Sequence, residues 1–159
     1  MSPAFLRALE LVLRHEGGLV DDPRDPGGLT QFGISQRAYP NLDIRGLTKL
    51  KAAEIYHADY WLPIRGDELP EPVAIVLFDM AVNMGKDRAV RLLQRALNIP
   101  QDGMLGPRTI AACINGTRRT VALNLTAERV IAYTGMRGFD TYGRGWLRRS
   151  ITTALEANA

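Results

Sequence analysis

The run Val73-Ala74-Ile75-Val76-Leu77-Phe78-Asp79-Met80-Ala81-Val82-Asn83-Met84-Gly85 is apolar on nearly every side of a helix. Such a helix cannot lie on a surface and must be wrapped by other elements. The neighbouring sequence offers helices for the wrapping. Phe5, Leu6, Leu9, Val12 and Leu13 mark one helix face between Pro3, a good first-turn residue, and Glu16, with Gly17 as its left-handed cap. Thr48 is placed to cap a helix through Trp61, and Asp87 to cap one that turns Ala89, Leu92, Leu93, Ala96 and Leu97 inward. Gly106-Pro107 opens a helix to about Ile114, Thr117 or Thr120 starts a longer one ending at Gly135, and residues 145–157 form a last amphipathic one. Ser35 is expected to cap a short helix before Pro40. Residues 17–34 hold five glycines and two prolines, which predicts a long loop or a small β-hairpin. The expected fold is mainly α, with about seven helices around a central buried one.

Composition narrows the class. With 46% apolar residues, the 159-residue chain can bury a core for one domain or two small lobes. Mean hydropathy is −0.11, and no apolar run approaches the roughly 20 residues of a membrane span. The start, Met1 to Arg7, does not read as a secretory signal, so synthesis in the cytoplasm is expected. Cys113 is the single cysteine and is expected as a buried thiol. His15 and His57 are too few for a metal site, so neither metal nor cofactor is expected. Residues 1–85 carry 8 basic and 12 acidic residues, whereas residues 86–159 carry 12 basic and 5 acidic ones. The cationic second half suits a polyanionic partner. Its arginines are not grouped as a groove-reading motif would need, which sets nucleic acid aside in favour of an anionic surface.

Chemistry concentrates between His15 and Gln31. An apolar helical pattern runs into Glu16, and a loop with Asp21, Asp22 and Asp25 follows. A carboxyl on a rigid helix end facing further carboxylates is the layout of glycosidic cleavage. The partial negative charge of a helix C-terminus favours the protonated form of a carboxyl placed there, which suits an acid catalyst. Any of the three aspartates can be the second carboxylate or simple turn chemistry, with Asp25 the favoured candidate. The spacing does not match a helix–loop–helix calcium site. Thr30 and Gln31 can hold a water beneath a sugar ring. Tyr56, Tyr60 and Trp61 stand at helical spacing and can stack on sugars or on each other. Asn83, a polar residue in an apolar helix, can face a groove or satisfy a backbone group.

Together, Glu16-Gly17-Gly18, Asp22-Pro23, Asp25-Pro26-Gly27-Gly28, Thr30 and Gly33-Ile34-Ser35 resemble the N-terminal signature of glycoside hydrolase family 108, the N-acetylmuramidases of phages and some bacterial secretion loci. Tyr60-Trp61-Leu62-Pro63, Arg65-Gly66-Asp67, Leu69-Pro70 and Phe78 to Gly85 continue the resemblance. Asp102-Gly103, Gly106-Pro107, Thr109 and Tyr142-Gly143-Arg144-Gly145-Trp146 resemble the family's predicted peptidoglycan-binding part. Leu62 stands where the family pattern carries a polar residue. The resemblance implies a lysozyme-like fold, with residues 1–90 as the catalytic part and 91–159 as a helical peptidoglycan-binding part packed into one unit. It implies cleavage of the β-1,4 bond between N-acetylmuramic acid and N-acetylglucosamine, with Glu16 as general acid. Asp25 and Thr30 are carried over by a further similarity to phage-type lysozymes. Asp22, Gln31, Tyr60, Trp61 and Asn83 are the candidate substrate contacts. The expected partner is the glycan strand of periplasmic peptidoglycan, met by a monomer. The expected setting is a phage or prophage endolysin released through a holin. A secretion-system muramidase and a non-catalytic wall binder are the alternatives.

Overall fold

The computed structural model describes residues 1–16, 18–21 and 28–159. Its helices are α1 (Pro3–Glu16), α2 (Lys49–Tyr56), α3 (Glu71–Met84), α4 (Lys86–Ala96), α5 (Pro107–Asn115), α6 (Arg118–Thr134) and α7 (Phe139–Ala157). Two short strands, β1 (Thr30–Gln31) and β2 (Ile34–Ser35), pair antiparallel after α1. The fold is mainly helical and lysozyme-like, as the sequence predicts.

α3 is the axis. Every residue from Val73 to Met80 is at most 1% exposed, Asp79 included. α1, α4, α6 and α7 all pack against it. Helices drawn from both halves of the chain therefore share one core. Phe5, Trp61 and Phe78 meet edge-to-face at its centre, with ring centroids 5.5–5.8 Å apart. Cys113 is buried there too, and burial pushes its thiol up to about 12, far from any reactive thiolate.

Local signals set several ends as expected. Thr48 Oγ1 accepts from the Lys51 backbone N–H and caps α2. Pro107 opens α5, and Thr117 precedes α6. Others differ. Ser35 belongs to β2, and its hydroxyl accepts from Ala38 N–H in a turn, with no helix before Pro40. Asp87 does not cap α4; it lies in the first turn and pairs with Arg91 one turn on. The helix through Trp61 stops at Tyr56 and continues as a wider π turn, His57–Trp61. α7 begins at Phe139, earlier than the glycines at 143 and 145 suggest. Gly143 is buried beneath the Phe139 ring, where a Cβ would stand 2.7 Å from the ring carbons. Its missing side chain is a packing device, not a helix stop.

Candidate active site

Glu16 ends α1 with its side chain 22% exposed. The β1–β2 turn, Phe32-Gly33, has positive φ at both residues (52° and 77°), the geometry of a tight two-residue hairpin. It brings Gly33 against the carboxyl. A Cβ on Gly33 would stand 2.9 Å from Glu16 Cγ and Oε2 and 2.6 Å from Tyr56 Oη. A side chain there would have to displace the Glu16 carboxyl and the Tyr56 hydroxyl. Tyr56 is buried in turn and donates from Oη to the Phe32 carbonyl at 2.9 Å, which fixes the turn over Glu16. Burial, and after it the Glu16 charge, raises the Tyr56 phenol above its ordinary value and keeps it a donor.

On its other side Glu16 meets a cation that the sequence reading did not single out. Arg149 of α7 reaches Glu16 Oε1 at 2.8 Å, and its guanidinium also contacts Asp79 Oδ1 at 2.8 Å. Asp79 Oδ2 accepts from Arg129 at 2.6 Å, and Arg129 is 0% exposed. Arg129 Nε donates to Tyr133 Oη at 2.9 Å, and Tyr133 donates to Asn83 Oδ1 at 2.5 Å. One connected series thus runs from Asn83 through Tyr133, Arg129, Asp79 and Arg149 to Glu16. Burial works against the charge on Asp79, but Arg129 and Arg149 more than offset it and hold its carboxyl below the usual carboxylate range. Burial likewise opposes the charge on Arg149, while Asp79 and Glu16 raise its pKa above the arginine value. The charge next to Glu16 is therefore a guanidinium anchored from the core, opposite in sign to the helix end from which the sequence alone would set its surroundings. Asp79 was discoverable: a lone carboxylate inside an apolar helix demands a buried cation.

The remaining candidates divide. Tyr60 is half-buried, tilted against Tyr56 at 5.7 Å, with Lys86 over its ring. Burial first, then the Asp59 and Glu16 charges, raises its phenol pKa. Asn83 is exposed, with its amide oxygen taken by Tyr133. Thr30 donates to the Gly28 carbonyl at 3.1 Å. Gln31 Nε2 donates to the Leu47 carbonyl at 3.0 Å, which ties the hairpin to the loop before α2. Trp61 is a correction: it is 0% exposed and offers no face to a saccharide. Its ring lies where a Cβ on Gly66 would stand at 2.4 Å, and its Nε1 donates to Asp67 at 3.0 Å, so the Trp61 and Arg65-Gly66-Asp67 blocks serve packing. The π turn is what swings Trp61 inward. Asp21 pairs with Arg45. Asp22 and Asp25 lie outside the described residues, as does Gly17. No group of acidic, His or Cys side chains that could hold a metal occurs among the described residues. No helix among them is long and apolar enough to cross a membrane.

The sequence model of the family described as Glycosyl hydrolase 108 matches residues 9–85, from the middle of α1 through the hairpin and α2 to the end of α3. Among solved structures, SagA of Brucella abortus is similar at 34% identity and a TM-score of 0.86, over 97% of this chain and 93% of that one. The chain belongs to glycosyl hydrolase family 108. It is a glycoside hydrolase acting on peptidoglycan. No curated protein matches it. The family match stops at Gly85, whereas the similarity to SagA runs on through α7, the helix that brings Arg149 to Glu16.

Proposed function

We propose that this family 108 hydrolase is an N-acetylmuramidase that cleaves the β-1,4 bond between N-acetylmuramic acid and N-acetylglucosamine, with Glu16 as general acid. The observation that carries this reading is the setting of Glu16. It is a partly exposed carboxyl at a helix end, oriented by Arg149 on Oε1 and bordered near Oε2 by Gly33, whose missing side chain leaves the carboxyl its place. In the reaction the Glu16 proton passes to the glycosidic oxygen, the bond from that oxygen to the anomeric carbon breaks, and water adds to the anomeric carbon. Asp25 is our candidate for taking the proton of that water or for stabilising the oxocarbenium-like transition state, with Thr30 helping to hold the water. Tyr60, Asn83 and Asp22 are our candidate sugar contacts. The cationic residues 91–159 form the side that meets the anionic wall.

The biological setting we propose is lysis of periplasmic peptidoglycan by a phage or prophage endolysin, monomeric and released through a holin. A secretion-associated muramidase would use the same chemistry. Digestion of purified sacculi tests the activity, with identification of the sugar at the new reducing end. N-acetylmuramic acid is expected there. Glu16→Gln is expected to lower the rate about 10²–10⁴-fold in a protein that still folds, as circular dichroism would check. Full activity in a folded Glu16→Gln protein, or N-acetylglucosamine at the new end, would refute the assignment.

A further inference from the structure

The arginines divide by whether they have a partner. Arg7, Arg14, Arg45 and Arg65 each pair with a carboxylate, as do Arg91, Arg95, Arg129 and Arg149. Arg144 and Arg148 of α7 are exposed, and among the described residues neither has an ion pair or a hydrogen bond. They stand one turn apart, a pair of like charges that costs the helix stability. Asp140, one turn before Arg144, pairs with neither. Beside them lies a cavity of about 540 Å³, lined among the described residues by Arg144, Gly145, Leu147 and Arg148. The space at Gly145 is open, since a Cβ there would meet no atom within 4 Å. Farther along, the same side of α7 turns apolar. At 3.6 residues per turn, Arg144, Arg148, Ile151 and Leu155 fall within roughly 60° of one another. Ile151 is 55% exposed and Leu155 69% exposed. α6, packed beside α7, leaves Leu123 and Ile131 exposed as well. The core takes none of these side chains, because the buried side of α7 is Gly143, Ser150, Thr153, Ala154 and Ala157.

From these observations we infer that the outer side of α7 is a docking surface for an anionic lipid bilayer. Charge and apolar exposure select the occupant together. Any polyanion, the wall included, could neutralise Arg144 and Arg148, but a polysaccharide or a free phosphate offers Ile151 and Leu155 nothing apolar to enter. A second copy of this face would add arginines to arginines. A bilayer satisfies both ends of the stripe, with headgroup phosphates at the guanidinium groups and hydrocarbon beneath for the aliphatic side chains. The helix lies along such a surface and does not cross it, in keeping with its polar and charged inner side. Arg149, the residue that grips Glu16, lies about 130° round the helix from the stripe, so a bilayer on the stripe leaves the catalytic carboxyl uncovered. The docking needs no turnover and therefore stands apart from the muramidase reading.

Co-sedimentation of the full chain with vesicles tests this, at fixed ionic strength. The vesicles are equal parts phosphatidylglycerol and phosphatidylcholine, or phosphatidylcholine alone. Binding is expected to the first and not to the second. Arg144→Gln combined with Arg148→Gln is expected to weaken the partition coefficient about 10- to 30-fold. Ile151→Ser combined with Leu155→Ser is expected to weaken it about 10-fold or more with every charge retained. Arg88→Gln combined with Arg108→Gln removes the same charge from exposed positions on α4 and α5, and is expected to change it less than about threefold. All these positions are exposed, and circular dichroism checks that each variant folds. Equal binding to both vesicles, binding to neither, or a serine pair that binds as the wild type does overturns the proposal. So does displacement by millimolar inorganic phosphate, which would make the cavity a phosphate site. A dimer in sedimentation that Leu155→Ser dissociates, with no vesicle binding, would give the face to a second copy instead.

Discussion

Asp79 is the residue on which the site depends most without reaching solvent. It is 1% exposed and divides its two oxygens between Arg129 and Arg149. Removing its charge leaves Arg129 in the core without its carboxylate and Arg149 with Glu16 alone, and breaking a buried pair costs about 3–5 kcal/mol. Asp79→Asn is therefore expected to lower the melting temperature markedly at pH 7 and to cut hydrolysis, because Arg149 loses its anchor and Glu16 its fixed orientation. The pH dependence has a definite sign. The folded-state value of Asp79 is depressed below the ordinary 3.8, so its contribution is fully present above that value and is lost as pH falls through the folded one. Thermal melts between pH 2 and 7 should show the wild type losing stability below about pH 4 and the variant falling less steeply. Equal melting temperatures at pH 7, or parallel acid slopes, would contradict this account. The carboxylate was legible in sequence as an intruder in an apolar run. Its partners were not, because Arg129 and Arg149 lie 50 and 70 residues away and nothing local marks them.

The hairpin shows the same division at the scale of an element. The glycine-rich stretch after Glu16 announces a turn, and Gly33 has the positive φ that such a turn requires. What the pattern could not convey is that the turn closes onto the carboxyl itself, since that depends on Tyr56 arriving from α2 to hold the Phe32 carbonyl. Gly33→Ala makes this measurable. The left-handed backbone alone costs an L-residue about 1–2 kcal/mol. The new methyl would also press on Glu16 and Tyr56 Oη. A shift of about 1 Å in a catalytic group can cost about 10²-fold in rate. The expected result is a folded protein with a modestly lower melting temperature and a rate loss larger than that stability change explains. A rate within twofold of wild type would show that the turn does not set the position of Glu16. The π turn gives the opposite lesson. Tyr60 and Trp61 are adjacent and equally suited by composition to a sugar groove, yet the extra residue in that turn seats Trp61 in the core and leaves Tyr60 half-buried. A single irregular turn decides between the two, and hydrophobic periodicity does not register it.

At the scale of the whole molecule, the sequence divides more sharply than the structure does. The charge asymmetry and the family signature both separate a first half from a second, and the signature places all the catalytic chemistry in the first. In the folded protein α3 is covered by α6 and α7, and the guanidinium on Glu16 comes from α7. The apolar run from Val73 to Gly85 explains why. A helix buried on every side in a chain this short must take its cover from distant segments, so the second half completes the core and the site together. A fragment of residues 1–90 would keep α1, the hairpin and α3 while exposing Leu77, Phe78 and Met80 and stranding Asp79 without either arginine. It is expected to show no cooperative thermal transition, to bind a hydrophobic dye, and to release no reducing ends from sacculi. Adding residues 91–159 as a separate polypeptide should restore a cooperative transition if the halves dock as they do in the intact chain. A fragment 1–90 that melts cooperatively and hydrolyses sacculi at the full rate would show that the first half is an independent catalytic domain, and that the ion pair between Glu16 and Arg149 is incidental to its chemistry.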